Sequence, residues 1–129
     1  MNYGIDQDRL IEIDSILRED LIEIGVDYVL MIDTAGNTIA KCDSGAHSYD
    51  VASLAALAAG NYATVDAMAK IVGEQEFSLL FHKGENVSIH FSMINEEFLL
   101  IILFGKEVSL GFLRLKVAEA IDKVRALWK

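Results

Sequence analysis

The chain has 129 residues and a net charge of −9, from 20 acidic and 11 basic residues. This length suits a single domain, residues 1–129, and the charge argues against nucleic acid and anionic membrane surfaces as partners, because both are negatively charged. Apolar residues make up 53% of the chain, above the usual ~45–50%, so a large core or a covered interface must take up the excess.

Several features indicate a cytoplasmic, prokaryotic protein. Cys42 is the single cysteine, so the chain has no internal disulfide, as expected in a reducing compartment. The first ten residues are polar and acidic, unlike a signal or transit peptide. The longest uncharged stretch, Val51 to Val65, is too short and too polar to span a bilayer, so we expect no membrane insertion.

The first elements in the chain are a helix and a hairpin. Asp6 to Ile24 is predicted to be an amphipathic helix that ends at Gly25, because apolar residues recur at three- and four-residue steps: Leu10, Ile13, Leu17, Leu21 and Ile24. The near-continuous apolar run Val26 to Asp33 predicts a strand buried on both faces. Asp33 and Gly36 occupy the first and fourth positions of a type I turn, so Thr38 to Cys42 should return as the second strand.

A long helix and a second hairpin follow. Asp50 to Val72 is predicted to be a helix, capped by Ser48 or Asp50 and ended by Gly73. Phe77–Lys83 and Val87–Ile94 are predicted to pair around a three-residue loop. In that register Phe81 lies opposite Ile89 and Leu79 opposite Phe91, and one face carries Phe77, Leu79, Phe81, Val87, Ile89, Phe91 and Met93.

The last two elements complete an α+β fold. Glu97 to Phe104 is apolar on both faces, which predicts a central strand. Val108 to Trp128 is predicted to be the closing helix, with an inner stripe of Leu110, Leu113, Val117, Ile121 and Val124. The order α-β-β-α-β-β-β-α, with hairpin connections, predicts a five-stranded antiparallel sheet with one helix on one face and two on the other.

The second helix is apolar around nearly its whole circumference. Between Val51 and Val72 only Asp66 and Lys70 carry a charge. A helix that lies on a sheet and otherwise faces water should have a polar half. We therefore expect a second molecule to cover this helix; the alternative is burial within its own chain. The pattern leaves open which stripe faces the sheet.

No group of residues indicates catalysis, a cofactor or a metal. His82 and His90 could share one face of their hairpin, but two histidines are fewer than the three or four ligands that a zinc site needs. Gly105-Lys106 lacks the upstream glycine and the Ser/Thr of a phosphate loop, and Cys42 fits a small buried or rim residue. An arginine finger usually extends from a mobile or exposed segment toward a phosphate. All the arginines of this chain fall on predicted helices instead: Arg9, Arg18, Arg114 and Arg125. We predict a protein that is not an enzyme.

Three stretches, in this order, resemble the Roadblock / dynein light-chain family, whose fold is profilin-like. They are Gly25 to Ala40, the alanine-rich helix Val51 to Gly73, and the apolar strand that runs into Ser109–Val124, where Ser109 to Arg114 resembles the family's entry to its last helix. The combination and order of these stretches, which extend over almost the whole chain, carry the resemblance. Within the family, the chain is similar to the small bacterial regulators of gliding motility.

The resemblance implies a homodimer, built by pairing the second helices and the third strands into one continuous sheet. It also implies a Ras-like small GTPase as partner, docked on the helical platform of the dimer. Such regulators stimulate GTP hydrolysis by repositioning the catalytic groups of the GTPase, without inserting an arginine. Mapped onto this chain, the dimer and partner interface comprises Val51, Leu54, Ala55, Leu57, Ala58, Asn61, Tyr62, Val65, Met68, Phe77, Leu79 and Phe81.

The leading interpretation is therefore a dimeric protein that activates or modulates a Ras-like GTPase. The main alternative is a non-catalytic dimeric scaffold or adaptor that leaves GTP hydrolysis unchanged. A third interpretation, a small-molecule sensor, requires a pocket in the folded monomer.

Overall fold

The computed structural model describes residues 5–75 and 80–128. Its helices are α1 (Gln7–Asp20), α2 (Val51–Ile71) and α3 (Leu110–Ala126), with a 3₁₀ turn at Ile22–Ile24. Its strands are β1 (Tyr28–Asp33), β2 (Thr38–Asp43), β3 (Leu80–His82), β4 (Ser88–Met93) and β5 (Phe98–Phe104). The order of helices and strands is the one predicted from the sequence.

The strands form one antiparallel sheet in the order β2-β1-β5-β4-β3. Every residue of β1 and β5 is buried, which confirms that both strands are covered on two faces and that β5 is central. Helices α1 and α3 pack on one face, where Leu17 and Leu113 join the core around Leu100. Helix α2 packs on the other face, so the α+β arrangement of one helix against two is confirmed.

Side-chain caps begin all three helices. The Asp6 carboxylate accepts a hydrogen bond from the Arg9 amide at 2.9 Å, and the Ser109 hydroxyl accepts one from the Phe112 amide at 3.3 Å. Of the two cap candidates for α2, Asp50 is the one used, because its carboxylate accepts from the Ser53 amide at 3.1 Å. Each cap satisfies an amide that the helix itself leaves without a partner.

The β3–β4 pairing differs from the predicted register by one residue. Phe81 lies opposite His90 and His82 opposite Ile89. The prediction that Phe81 shares a face with Ile89 is therefore wrong: the Phe81 ring lies on the α1/α3 face and stacks on Phe104 at 5.9 Å between centroids. A one-residue slip moves every side chain of a strand to the other face of the sheet.

The same shift separates the two histidines of the hairpin. His82 points toward the α2 face, where its ring meets Phe91 edge-on at 5.5 Å, whereas His90 is buried on the α1/α3 face. The expectation that they could share one face is wrong. Phe77 and Leu79, which the predicted register also used, lie outside the described residues.

The β1–β2 turn sets how closely α2 approaches the sheet. The Gly36 amide donates to the Asp33 carbonyl at 3.1 Å, as the predicted type I turn requires. Gly36 has φ +91°, and a Cβ placed on it would lie 3.0 Å from the Ala56 Cα of α2. The turn therefore packs directly against the α2 backbone.

Gly36→Ala should destabilise the fold by about 2–4 kcal/mol, because it adds both a strained φ and a collision with helix backbone. Gly45→Ala is the matched control, since Gly45 also has a positive φ, +81°, but open space around it. The control should lose only about 1–2 kcal/mol. Urea unfolding of both variants measures the difference, and equal losses would contradict the close packing of the turn on α2.

Candidate interaction surface

The inner face of α2 is made of small side chains. Ala55, Ala58 and Ala59 are buried there, against large apolar side chains of the sheet: Tyr28, Leu30, Ile32, Phe91, Leu99, Ile101 and Leu103. Ala69, further along the helix, is also buried. Because alanine takes little space, the helix backbone can lie close to the sheet. The small residues of α2 are thus used, in part, for packing within the chain.

The opposite side of α2 is apolar and exposed. Leu57 is 72% exposed, Met68 49% and Ile71 84%. These three and the small exposed residues between them share one side of the helix, since they recur at three- and four-residue steps. We name this surface the outer α2 face; it comprises Leu57, Gly60, Thr64, Ala67, Met68 and Ile71. Single exposed apolar residues are ordinary, but a continuous stripe of them marks an interaction site.

Burying the outer α2 face would leave few polar groups without partners. The Thr64 hydroxyl already donates to the Gly60 carbonyl at 3.0 Å. The two charged residues of the helix, Asp66 and Lys70, pair with each other at 2.6 Å and are not part of this face. Desolvating the outer α2 face is therefore inexpensive, because it buries no charge and its one hydroxyl already has a hydrogen-bond partner.

The edge strand β3 adjoins one flank of α2. The His82 ring nitrogen Nε2 lies 3.3 Å from the Asn61 side-chain oxygen, a hydrogen bond that links the strand to the helix. In the part of the chain that is described, β3 pairs only with β4, so its other edge has no strand beside it. The helix face and the strand edge therefore form neighbouring parts of one surface.

The residues predicted for the interface fall into five groups. Leu57 and Met68 belong to the outer α2 face. A second group is partly buried along the inner side and flanks of α2: Val51, Leu54, Asn61, Tyr62 and Val65. Ala55 and Ala58 are buried against the chain's own sheet, and Phe81 packs on the face opposite α2. Phe77 and Leu79 lie outside the described residues.

The predicted interface omits the most exposed large apolar side chain of α2, Ile71, and its neighbour Val72, which is 67% exposed. Ile71 lies fourteen positions, about four turns, after Leu57, so the two side chains are on the same side of the helix. The sequence alone could not show that this side faces away from the sheet.

Other candidate groups show no reactive chemistry. Burial raises the pKa of the Cys42 thiol to about 12, so the thiolate needed for nucleophilic reactions is scarce at neutral pH. The Arg18 guanidinium donates to the Asp14 carboxylate at 2.9 Å, and Arg125 donates to the Ile94 carbonyl. Residues 5–75 and 80–128 contain no group of three or more side chains placed to bind a metal ion. Within those same ranges, no helix has the length and apolar character needed to cross a membrane.

Comparisons with solved structures reveal close relatives. MglB of Thermus thermophilus, described as a gliding protein, is 29% identical, with a TM-score of 0.85 over 93% of this chain and 90% of its own. Myxococcus xanthus MglB is 28% identical, with a TM-score of 0.83 over 91% and 94%. An MglB with a tetrameric arrangement is 28% identical, with a TM-score of 0.86 over 93% and 90%.

More distant matches agree on the fold. Profilin II of Acanthamoeba castellanii is 15% identical, with a TM-score of 0.62 over 89% of this chain and 98% of its own, which shows the shared fold alone. A comparison with curated protein sequences returns no significant match. The profile of the Roadblock/LC7 domain matches residues 16–104, more than half of the chain. This chain therefore belongs to the Roadblock/LC7 domain family.

Proposed function

We propose that this protein is a cytoplasmic homodimer that regulates a Ras-like small GTPase, in a system related to the gliding motility for which its MglB relatives are named. The outer α2 face carries the proposal. Leu57 and Ile71 are more than two thirds exposed in the single chain, and the face around them has no unpaired charge. Exposed apolar surface of this kind marks a site where a partner binds, because covering it removes apolar area from water.

A second copy of the chain is the partner that fits this face best. In a two-fold dimer the same surface meets itself, so it must be self-complementary. Gly60, Thr64 and Ala67 allow two helix backbones to approach closely, while Leu57 and Ile71 can pack on either side of the crossing. The adjoining edge of β3 could then pair with its copy and continue the sheet across the dimer.

The arginines favour regulation without an inserted arginine. Arg9, Arg18, Arg114 and Arg125 all belong to α1 or α3, the helices on the sheet face opposite α2. A GTPase docked on paired α2 helices would therefore meet no arginine from this protein. This protein would then stimulate hydrolysis by binding the active conformation of the GTPase, in which the GTPase's own catalytic groups are correctly placed. It would increase the population of that conformation and would add no positive charge to the active site.

The test is single-turnover GTP hydrolysis by a Ras-like GTPase that is first identified by its co-purification with this protein. Adding the wild-type protein should raise the rate about tenfold or more, although less than the ~10³–10⁵-fold gained from an arginine finger. Arg114→Ala, which removes an exposed arginine, should stimulate like the wild type, whereas Leu57→Glu should not stimulate. Binding with an unchanged rate would instead support the scaffold alternative.

A further inference from the structure

A cleft lies on the other side of the sheet, between the β3–β4 hairpin and the start of α3. Its volume is about 610 Å³, within the range of roughly 300–1,000 Å³ typical of small-molecule sites. Phe81, Phe104, Val108 and Leu110 form its apolar wall. All four belong to the α1/α3 face of the sheet, the face opposite the α2 surface proposed for self-association.

Two lysines and one acidic residue line the cleft: Lys83, Lys106 and Glu85. A second carboxylate, that of Glu107, lies beside the lining residue Gly105, where an added Cβ would come within 2.8 Å of it. Lys70, Lys116 and Lys123 each bond to a carboxylate, but Lys83 and Lys106 form no ion pair with any described residue. Their ammonium groups are thus available to an anion.

The hairpin loop that carries Lys83 is held in a close turn. A Cβ placed on Gly84 would lie 2.2 Å from the Val87 carbonyl oxygen, so only glycine allows the backbone to approach itself this closely. On the inner side, the stacked rings of Phe81 and Phe104 fix the apolar wall. The cleft is therefore formed in the folded chain before any ligand binds, which limits the entropy lost on binding.

We propose that this cleft binds a small apolar molecule with a single negative charge, of the class of medium-chain fatty acids. The aliphatic body would lie against Phe81, Phe104 and Leu110, and the carboxylate would meet Lys83 and Lys106. A nucleotide or a sugar fits less well, because many of its polar atoms would lie against the apolar wall and lose their hydrogen bonds to water. The proposal does not depend on the GTPase, and it supplies the pocket that a small-molecule sensor requires.

The test is fluorescence titration of the full chain with cis-parinarate, followed by displacement with decanoate and with the neutral analogue decanol. The wild type should bind cis-parinarate saturably, and decanoate should displace it better than decanol. Lys83→Gln combined with Lys106→Gln should weaken binding about tenfold, as expected for two solvent-exposed charge contacts. Glu85→Gln should strengthen binding about twofold, because it removes a repulsive charge.

Two control variants locate the ligand. Lys41→Gln removes an exposed lysine on β2, away from the cleft, and should leave the affinity unchanged. Leu57→Glu alters the outer α2 face and should also bind like the wild type. The proposal is overturned if the wild type shows no saturable binding, if the double lysine variant binds as tightly as the wild type, or if Leu57→Glu abolishes binding.

Discussion

Ala58→Glu should unfold this protein, whereas Leu57→Glu at the preceding position should leave it folded and prevent only its self-association. Ala58 is 3% exposed and packs on the core of the sheet, among residues such as Leu30 and Ile101. A carboxylate there would be buried without a partner, at a cost of about 3–5 kcal/mol, which is a large fraction of the ~5–15 kcal/mol of a typical domain's stability. We expect an aggregated or unfolded protein.

Leu57 projects from the opposite side of the same helix turn and is 72% exposed, so the single chain loses little when a glutamate replaces it. In a two-fold dimer, however, the new charge would be buried near its own copy. Leu115→Glu is the matched control, because Leu115 is 57% exposed on α3, on the other side of the sheet. It should remain folded and associate like the wild type.

Circular dichroism and light scattering separate these outcomes. The first measures folding and the second measures the mass of the particle in solution. A cooperatively folded Ala58→Glu with the melting temperature of the wild type would show that the inner face of α2 is wrongly assigned. A Leu57→Glu variant with the mass of the wild-type assembly would show that the outer α2 face is not the interface.

Acidification should destabilise the protein through His90. This side chain is 3% exposed on the α1/α3 face; its Nε2 bonds to the Ser92 hydroxyl at 2.9 Å, and its Nδ1 has no hydrogen-bond partner among the described residues. Burial, assisted by the positive charge of Arg114, lowers the pKa of His90 from 6.5 to about 4. The ring is therefore neutral in the folded protein at neutral pH.

The direction of the effect follows from which state binds the proton first. Between pH 6.5 and about 4 the unfolded chain binds a proton at this histidine, whereas the folded chain does not. The unfolding free energy therefore keeps the full contribution of His90 above pH 6.5 and loses it as the pH falls toward 4. The difference between these pKa values corresponds to about 3 kcal/mol of unfolding free energy. Urea unfolding at a series of pH values measures this loss.

His90→Gln supplies the control, because glutamine does not titrate. The variant keeps the contributions of the carboxylates, which also titrate in acid, and lacks only that of His90. Its unfolding free energy should fall less steeply than that of the wild type between pH 6.5 and 4, by about 3 kcal/mol in total. Parallel pH profiles would show that His90 is not held neutral by the fold.

Local signals explain why most of the fold could be predicted from the sequence. The Asp33–Gly36 turn and the Asp50 cap depend on neighbouring residues, so their chemistry is visible in short stretches. The β3–β4 register was missed because it depends on the contact of Phe81 with Phe104, more than twenty residues away. In both registers apolar and polar side chains can alternate between the two faces of the sheet, so only the packing of the core distinguishes the registers.

The sequence identified α2 as the candidate interface but did not show which side of the helix is exposed. An almost uniformly apolar α2 has no polar side to fix its orientation. Small residues suit close contact with a partner and equally suit close contact with the sheet, and Ala55 and Ala58 serve the second purpose. The larger residues Met68 and Ile71 are the ones left exposed.

Sedimentation equilibrium of the wild-type protein is the most direct test of the central claim, that a second copy covers the outer α2 face. At low micromolar concentration we expect a particle of at least twice the chain mass of 14.3 kDa, and a single-chain mass for Leu57→Glu under the same conditions. A wild-type protein that sediments at 14.3 kDa even at high concentration, with α2 exposed to solvent, would contradict the account.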